Sequence, residues 1–210
     1  MRSRLWTTSL AIAICVSTAL AQHDTKKPTG SASAPPSMPS PEPGPEMRRL
    51  LEAFSGTWSI TYRYDPSDTM PNGGTGQGQE VYRPGPGGIS LIEEFHSKEA
   101  KGDVSGLGVA WWDDMARGFR AVWCESRNPK GCVVMARLAN WEGDQFVLGD
   151  EWEMGGKKFS FKEVFSDMTP GSFTQTLFQG ESGVELKRLM TIKATKSTDA
   201  KPAGSKPPKQ

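Results

Sequence analysis

Lys158-Phe-Ser-Phe-Lys-Glu-Val-Phe-Ser166 decides the fold class. Phe159, Phe161 and Phe165 share one parity, and Lys158, Ser160 and Lys162 take the other. A period of two belongs to an extended strand, whose side chains leave on alternate faces. One face therefore meets a core and the other meets water. The same alternation sets Val184, Leu186, Met190 and Ile192 against Glu185, Lys187, Thr191 and Lys193, and Phe119, Ala121 and Trp123 against Arg120 and Cys124.

Outward from that stretch, apolar segments alternate with short runs of Gly, Pro, Asn and Asp, the residues of turns. Strands are expected at Trp58–Tyr64, Gln77–Arg83, Ile89–Ser97, Ser105–Trp112, Gly118–Cys124, Cys132–Leu138, Gln145–Trp152, Lys158–Ser166, Ser172–Gln179 and Val184–Ala194. Short connections favour antiparallel neighbours, and about ten strands in up-and-down order tend to close into a barrel. Ahead of them, Met47, Leu50, Leu51 and Phe54 recur at helical spacing, Pro45 suits a first turn, and Gly56 ends the pattern. The prediction is an all-β, antiparallel up-and-down barrel of about ten strands with a short N-terminal helix. The run Asn72–Gly78 lacks the strand-to-helix context of a phosphate loop and reads as a hairpin connection.

The chain's 25 Lys+Arg and 24 Asp+Glu leave a formal charge of +1, which gives no clustered basic face for nucleic acid. Residues 1–21 have the layout of a signal peptide. Arg2 and Arg4 precede an apolar run from Leu10 to Leu20, and Ala19-Leu20-Ala21 supplies the cleavage signal. That run is about half the ~20 residues that span a bilayer, so no integral membrane segment is expected after cleavage. Residues 22–46 read as a Pro/Ser-rich disordered linker, 47–194 as the barrel, and 195–210 as a Lys/Pro-rich disordered tail. Export to the periplasm or beyond favours a disulfide between Cys124 and Cys132, which flank the turn sequence Glu125–Gly131. Free thiols are the rival reading, and the Cys spacing matches no zinc motif.

Several stretches in order carry a resemblance. They are Gly56-Thr57-Trp58, Gly87–Phe95, Gly106-Leu-Gly-Val-Ala-Trp-Trp-Asp-Asp114 and Gly118-Phe-Arg-Ala-Val-Trp123. Over residues 47–194 the chain resembles the calycin group, which includes lipocalins and fatty-acid-binding proteins. It is similar in particular to the lipocalin-like bacterial domain of unknown function 1579. The resemblance implies a calycin-like barrel and no activity. Haem-binding relatives of that barrel use a histidine late in the chain, where this sequence has none, so no cofactor is expected.

No nucleophile elbow, Walker loop or metalloprotease helix is present, and no catalytic or metal residues are assigned. His96 is expected on the outside near a strand end, and Asp113 and Asp114 in a solvated turn. The informative residues are charges on the apolar parity. Glu163 falls between Phe161 and Phe165, Arg188 between Leu186 and Met190, and Glu93 between Leu91 and Phe95. With Cys124 opposite Cys132, Trp123 faces Val133, and Arg137 joins Met135 on the inner side. Buried charges must meet each other, water or a ligand.

In one reading Glu163, Arg188, Glu93 and Arg137 form an internal network that fills the core of a cell-envelope interaction module. In the other, an arginine anchors the acidic head of a small apolar or amphipathic ligand, as late-strand arginines do in fatty-acid-binding proteins. Six tryptophans either line an aromatic pocket or fill the core. The leading expectation is an exported, lipocalin-like binding domain with Arg188, Glu163, Glu93, Arg137 and Trp123 at the ligand. A lesser alternative is an enzyme that uses Glu93 and Glu163 as an acid–base pair.

Overall fold

Gly56 is where helix gives way to strand. Its φ of +138° lies in a region that side-chain-bearing residues avoid, and a Cβ there would strike the Lys196 side chain at 2.6 Å. Before it, helix α1 (Pro45–Phe54) starts on Pro45 and buries Met47, Leu50 and Phe54. After it, strand β1 (Gly56–Tyr64) carries Trp58, whose indole Nε1–H donates to the Phe54 carbonyl at 2.7 Å and so satisfies a free carbonyl at the helix end. The computed structural model describes residues 42–67, 70–99 and 102–197. The predicted leader, most of the predicted linker and the tail beyond residue 197 lie outside the described residues.

Ten further strands follow: β2 (Gly74–Pro84), β3 (Leu91–Glu99), β4 (Gly102–Asp113), β5 (Gly118–Glu125), β6 (Cys132–Val134), β7 (Asn140–Glu142), β8 (Gln145–Met154), β9 (Lys157–Thr169), β10 (Ser172–Glu181) and β11 (Lys187–Lys196). All pair antiparallel in one sheet ordered β6-β5-β4-β3-β2-β1-β11-β10-β9-β8-β7. Each segment expected as a strand contributes to it, and β7 is an addition.

The barrel is not closed. β6 and β7 are edge strands of three residues each, and the sheet is a curled half-barrel of eleven strands. At the seam, Phe119 and Ala139 exchange two backbone hydrogen bonds of 2.8 Å, and the Ala136 N–H donates to Asp150 Oδ1 at 2.8 Å. These stitches stand where a continuous ladder was expected. The segment expected as one strand from Cys132 to Leu138 leaves the sheet after Val134, which breaks the ladder there. Cys124 and Cys132 lie opposite each other across β5 and β6 and form a disulfide.

The run Asn72–Gly78 is also corrected. From Gly74 onward it is strand, with Gly74, Gly76 and Gly78 paired to Tyr64, Tyr62 and Ile60. A Cβ on Gly76 would fall 2.1 Å from the Tyr62 ring, so the glycine leaves room for that ring to lie across β2.

The core occupies the α1 end. Leu50, Phe54, Trp58, Phe119, Phe146, Phe165 and Phe173 pack there, all buried. Phe54 sits at the centre of this layer, within 5.1–5.8 Å of the rings of Tyr82, Phe146, Phe165 and Phe173. Tilted and edge-to-face contacts at this spacing add to the area buried.

Candidate functional site

The aromatic layer does not extend to the end of the strands away from α1. Past it lies a cavity of about 390 Å³. Two rows of paired residues build its walls. One runs Tyr82, Glu93, Gly108 and Trp123 from β2 to β5. The other runs Leu148, Glu163, Leu177, Met190 and Tyr64 from β8 to β1. Phe95, Val104, Met135 and Phe161 add further apolar surface, and Leu50 and Phe54 form the floor.

Glycines on β4 make the space. A Cβ on Gly106 would lie 2.4 Å from the Trp123 ring, and one on Gly108 would lie 3.0 Å from Glu93 Oε2. Both side chains therefore lie over bare backbone. Phe95 meets Trp123 edge-on at 6.1 Å between ring centroids.

The polar lining is one-sided. Glu80, Glu93 and Glu163 face the cavity with Tyr82 and Gln175, and Glu125 stands at the far end of β5. The Tyr82 hydroxyl donates to Glu80 Oε2 at 3.2 Å, and the Gln175 amide donates to Glu163 Oε1. Gln175 Oε1 is buried without a hydrogen-bond partner. Among the described residues, no lysine, arginine or histidine lines this space.

Burial therefore sets the protonation of these acids. Glu163 is pushed up to about 8, first by burial and then by the charge of Glu93. Burial raises Glu93 to about 7 against the opposing Tyr82 hydrogen bond. Glu80 is held well above the usual carboxylate range by burial and then by the Glu93 charge, with its Tyr82 hydrogen bond opposing and Glu163 adding to the rise. Tyr82 is raised too, by burial and the three carboxylates. With no cation in the wall among the described residues, burial shifts each carboxyl toward its protonated form.

The structure brings together three of the five residues expected at a ligand: Glu93, Glu163 and Trp123 line the cavity. The two arginines are outside. Arg188 is half exposed, and its Nε donates to Asp65 Oδ2 at 2.6 Å. The cause is a β-bulge: Leu177 pairs with Met190 but Phe178 pairs with Arg188, so Leu189 is an extra residue. That residue reverses parity for everything before it on β11. Arg137 follows the end of β6, where alternation no longer applies, and its guanidinium binds Glu151 at 2.6 Å on the outside. The internal Glu–Arg network does not form, and among the described residues no arginine lines the cavity to hold an acidic head group.

Of the six domain tryptophans, Trp123 alone lines the cavity. Trp58, Trp112 and Trp141 pack on Phe173, Phe119 and Phe146, and Trp152 stacks on Phe159. His96 is exposed, with Nδ1 at 3.1 Å from the Ser105 hydroxyl, as its parity predicts. Asp113 accepts from the backbone of Met115 and Ala116 in a turn.

Four polar residues of the lining, Glu80, Tyr82, Glu125 and Gln175, escaped the sequence reading. Glu80 shares the parity of Tyr82, but its neighbours on that face are glycines, so no apolar alternation flags it. Gln175 lies between Phe173 and Leu177 on the inner parity, and strict alternation along β10 identifies it.

No family model and no curated protein matches this chain. No family model therefore supports the resemblance to domain of unknown function 1579. Among solved structures, the crystal structure of Rv2717c from M. tuberculosis matches at 14% identity over 74% of this chain and 99% of that one, with a TM-score of 0.50. A redesigned β-barrel, mFAP1, bound to DFHBI, matches at 16% identity over 72% and 99%, with a TM-score of 0.37. EF1p2_mFAP2b bound to DFHBI matches at 13% identity over 72% and 98%, also at 0.37. At 14% identity the likeness to Rv2717c is one of fold alone, and the fold seen here is a curled, open antiparallel half-barrel.

Proposed function

We propose that this protein is an exported, lipocalin-like barrel that binds a small, largely apolar molecule in the cavity above α1. The observation that carries this reading is the cavity itself, about 390 Å³ bounded mostly by apolar side chains with a few convergent polar groups. Its size falls within the roughly 300–1,000 Å³ of small-molecule sites, and a mostly apolar wall with sparse polar groups is their usual make-up. An envelope module with a filled core has no use for such a space. The Cys124–Cys132 disulfide and the leader read at residues 1–21 support an oxidising, exported setting. The stretches 22–46 and 195–210 act as spacer and tail around the barrel.

Native mass spectrometry of the purified mature protein tests this reading. The expected result is an added mass that organic extraction removes, or one that appears after incubation with a lipid extract. An unchanged mass in both cases, with Trp123 fluorescence unaltered, refutes it. Cell fractionation with N-terminal sequencing tests export. A mature protein that starts at Gln22 outside the cytoplasm supports it, and retention of Met1 in the cytoplasm refutes it.

A further inference from the structure

We propose that the cavity selects an organic cation, an ammonium group on a compact apolar or aromatic body, held by Glu80, Glu93 and Glu163 with Gln175 Oε1 as a further acceptor. This inference rests on the binding function above and adds the charge class of the ligand.

Three observations support it. Carboxyls from β2, β3 and β9 line one partly open cavity whose wall, among the described residues, holds no basic residue. Glu80 is 1% exposed and Glu163 9%, so bulk water does not neutralise them. Independently, Gln175 is 7% exposed, and its amide is oriented by the bond to Glu163, which leaves Oε1 unpartnered on the cavity side. Once ionised, the three carboxyls supply only acceptors and negative charge to the cavity. An ammonium has three donors, no acceptor and the charge the wall lacks. Trp123 and Phe95 also present rings to the same space, and a cation is attracted to aromatic faces. A carboxylate ligand would instead bring a negative charge into a wall that, among the described residues, holds no cation to meet it.

The choice of cation predicts a proton signature. The titratable groups that face the ligand are Tyr64 from β1, Glu80 and Tyr82 from β2, Glu93 from β3, Glu125 from β5 and Glu163 from β9. Helix α1 contributes only Leu50 and Phe54. Near neutral pH Glu163, pushed up to about 8 by burial, holds a proton, so a cation that enters beside it drives that proton out to solvent. Affinity for the cation then rises with pH until the acids are ionised.

Calorimetric titration of the intact mature protein with 1-naphthylmethylamine, 1-naphthylmethanol and 1-naphthoate at neutral pH tests this. The three probes share a ring system and differ in head group. The expected result is that the amine binds more tightly than the alcohol by about tenfold or more, naphthoate binds weakest, and only the amine shows proton release across buffers of different ionisation enthalpy. If the alcohol or naphthoate binds as tightly as the amine, charge selection is overturned while the cavity reading stands. If none of the three binds, both readings fall. Glu93→Gln with Glu163→Gln should retain alcohol affinity, which reports a folded cavity, and lose the preference for amine. Retention of the full preference in that variant would overturn the assignment.

Discussion

Replacing Glu163 with glutamine should stabilise this protein at alkaline pH and change little near pH 4.5. In the folded protein burial raises the Glu163 carboxyl from its ordinary 4.5 to about 8. Between those values the folded state holds a proton that the unfolded chain has released. More protons bound to the folded state means that unfolding free energy falls as pH rises. The stability linked to this proton is complete below the unfolded value, declines across the interval and is gone above the folded value. The interval is about 3.5 pH units, and at about 1.4 kcal/mol per unit the upper limit of the loss is roughly 5 kcal/mol. Glutamine has no proton to lose and still offers an oxygen to the Gln175 amide.

Glu80 and Glu93 titrate in both proteins, so the difference between variant and wild type reports Glu163 together with its charge coupling to those two acids. Urea unfolding followed by tryptophan fluorescence, in steps across about pH 5 to 9, supplies that difference. The expected curve is near zero at the acidic end and reaches roughly 2–5 kcal/mol in favour of the variant at the alkaline end. A difference that is flat across the range would refute the placement of this carboxyl in a cation-free interior.

Gly106→Ala puts a methyl group 2.4 Å from the Trp123 ring, so it should displace that ring, shift tryptophan emission and cost about 1–3 kcal/mol in urea unfolding. Arg188→Met should leave both fold and ligand affinity unchanged, because the guanidinium binds Asp65 on the outer wall; a loss of binding in the native mass spectrum would contradict the bulge at Leu189. Removing the disulfide with Cys124→Ser and Cys132→Ser should cost about 2–3 kcal/mol, read as a lower urea midpoint that reductant no longer affects.

The segments expected as strands all contribute to the sheet, and the helix that ends at Gly56 forms. Those features follow from local rules, period two for strands and period 3.6 for the helix, that need no knowledge of distant residues. Parity also put Glu93, Glu163 and Trp123 on the inner face, since each lies within a strand uninterrupted between it and its apolar neighbours. It hid Glu80, because glycines on the same face carry no hydrophobic signal.

What parity does not contain is where a count breaks. The extra residue at Leu189 is set by how β11 pairs with β10, a contact between segments, and it moves Arg188 from the interior to the surface. The end of β6 at Val134 likewise moves Arg137 out and leaves the barrel open. The sequence by itself therefore determined the strands, the turn that carries the disulfide and the presence of acids among apolar side chains. Only the tertiary structure decided that those acids face a cavity with no cation beside them, because strand register is fixed by pairing across the sheet and one inserted residue reverses every side chain before it.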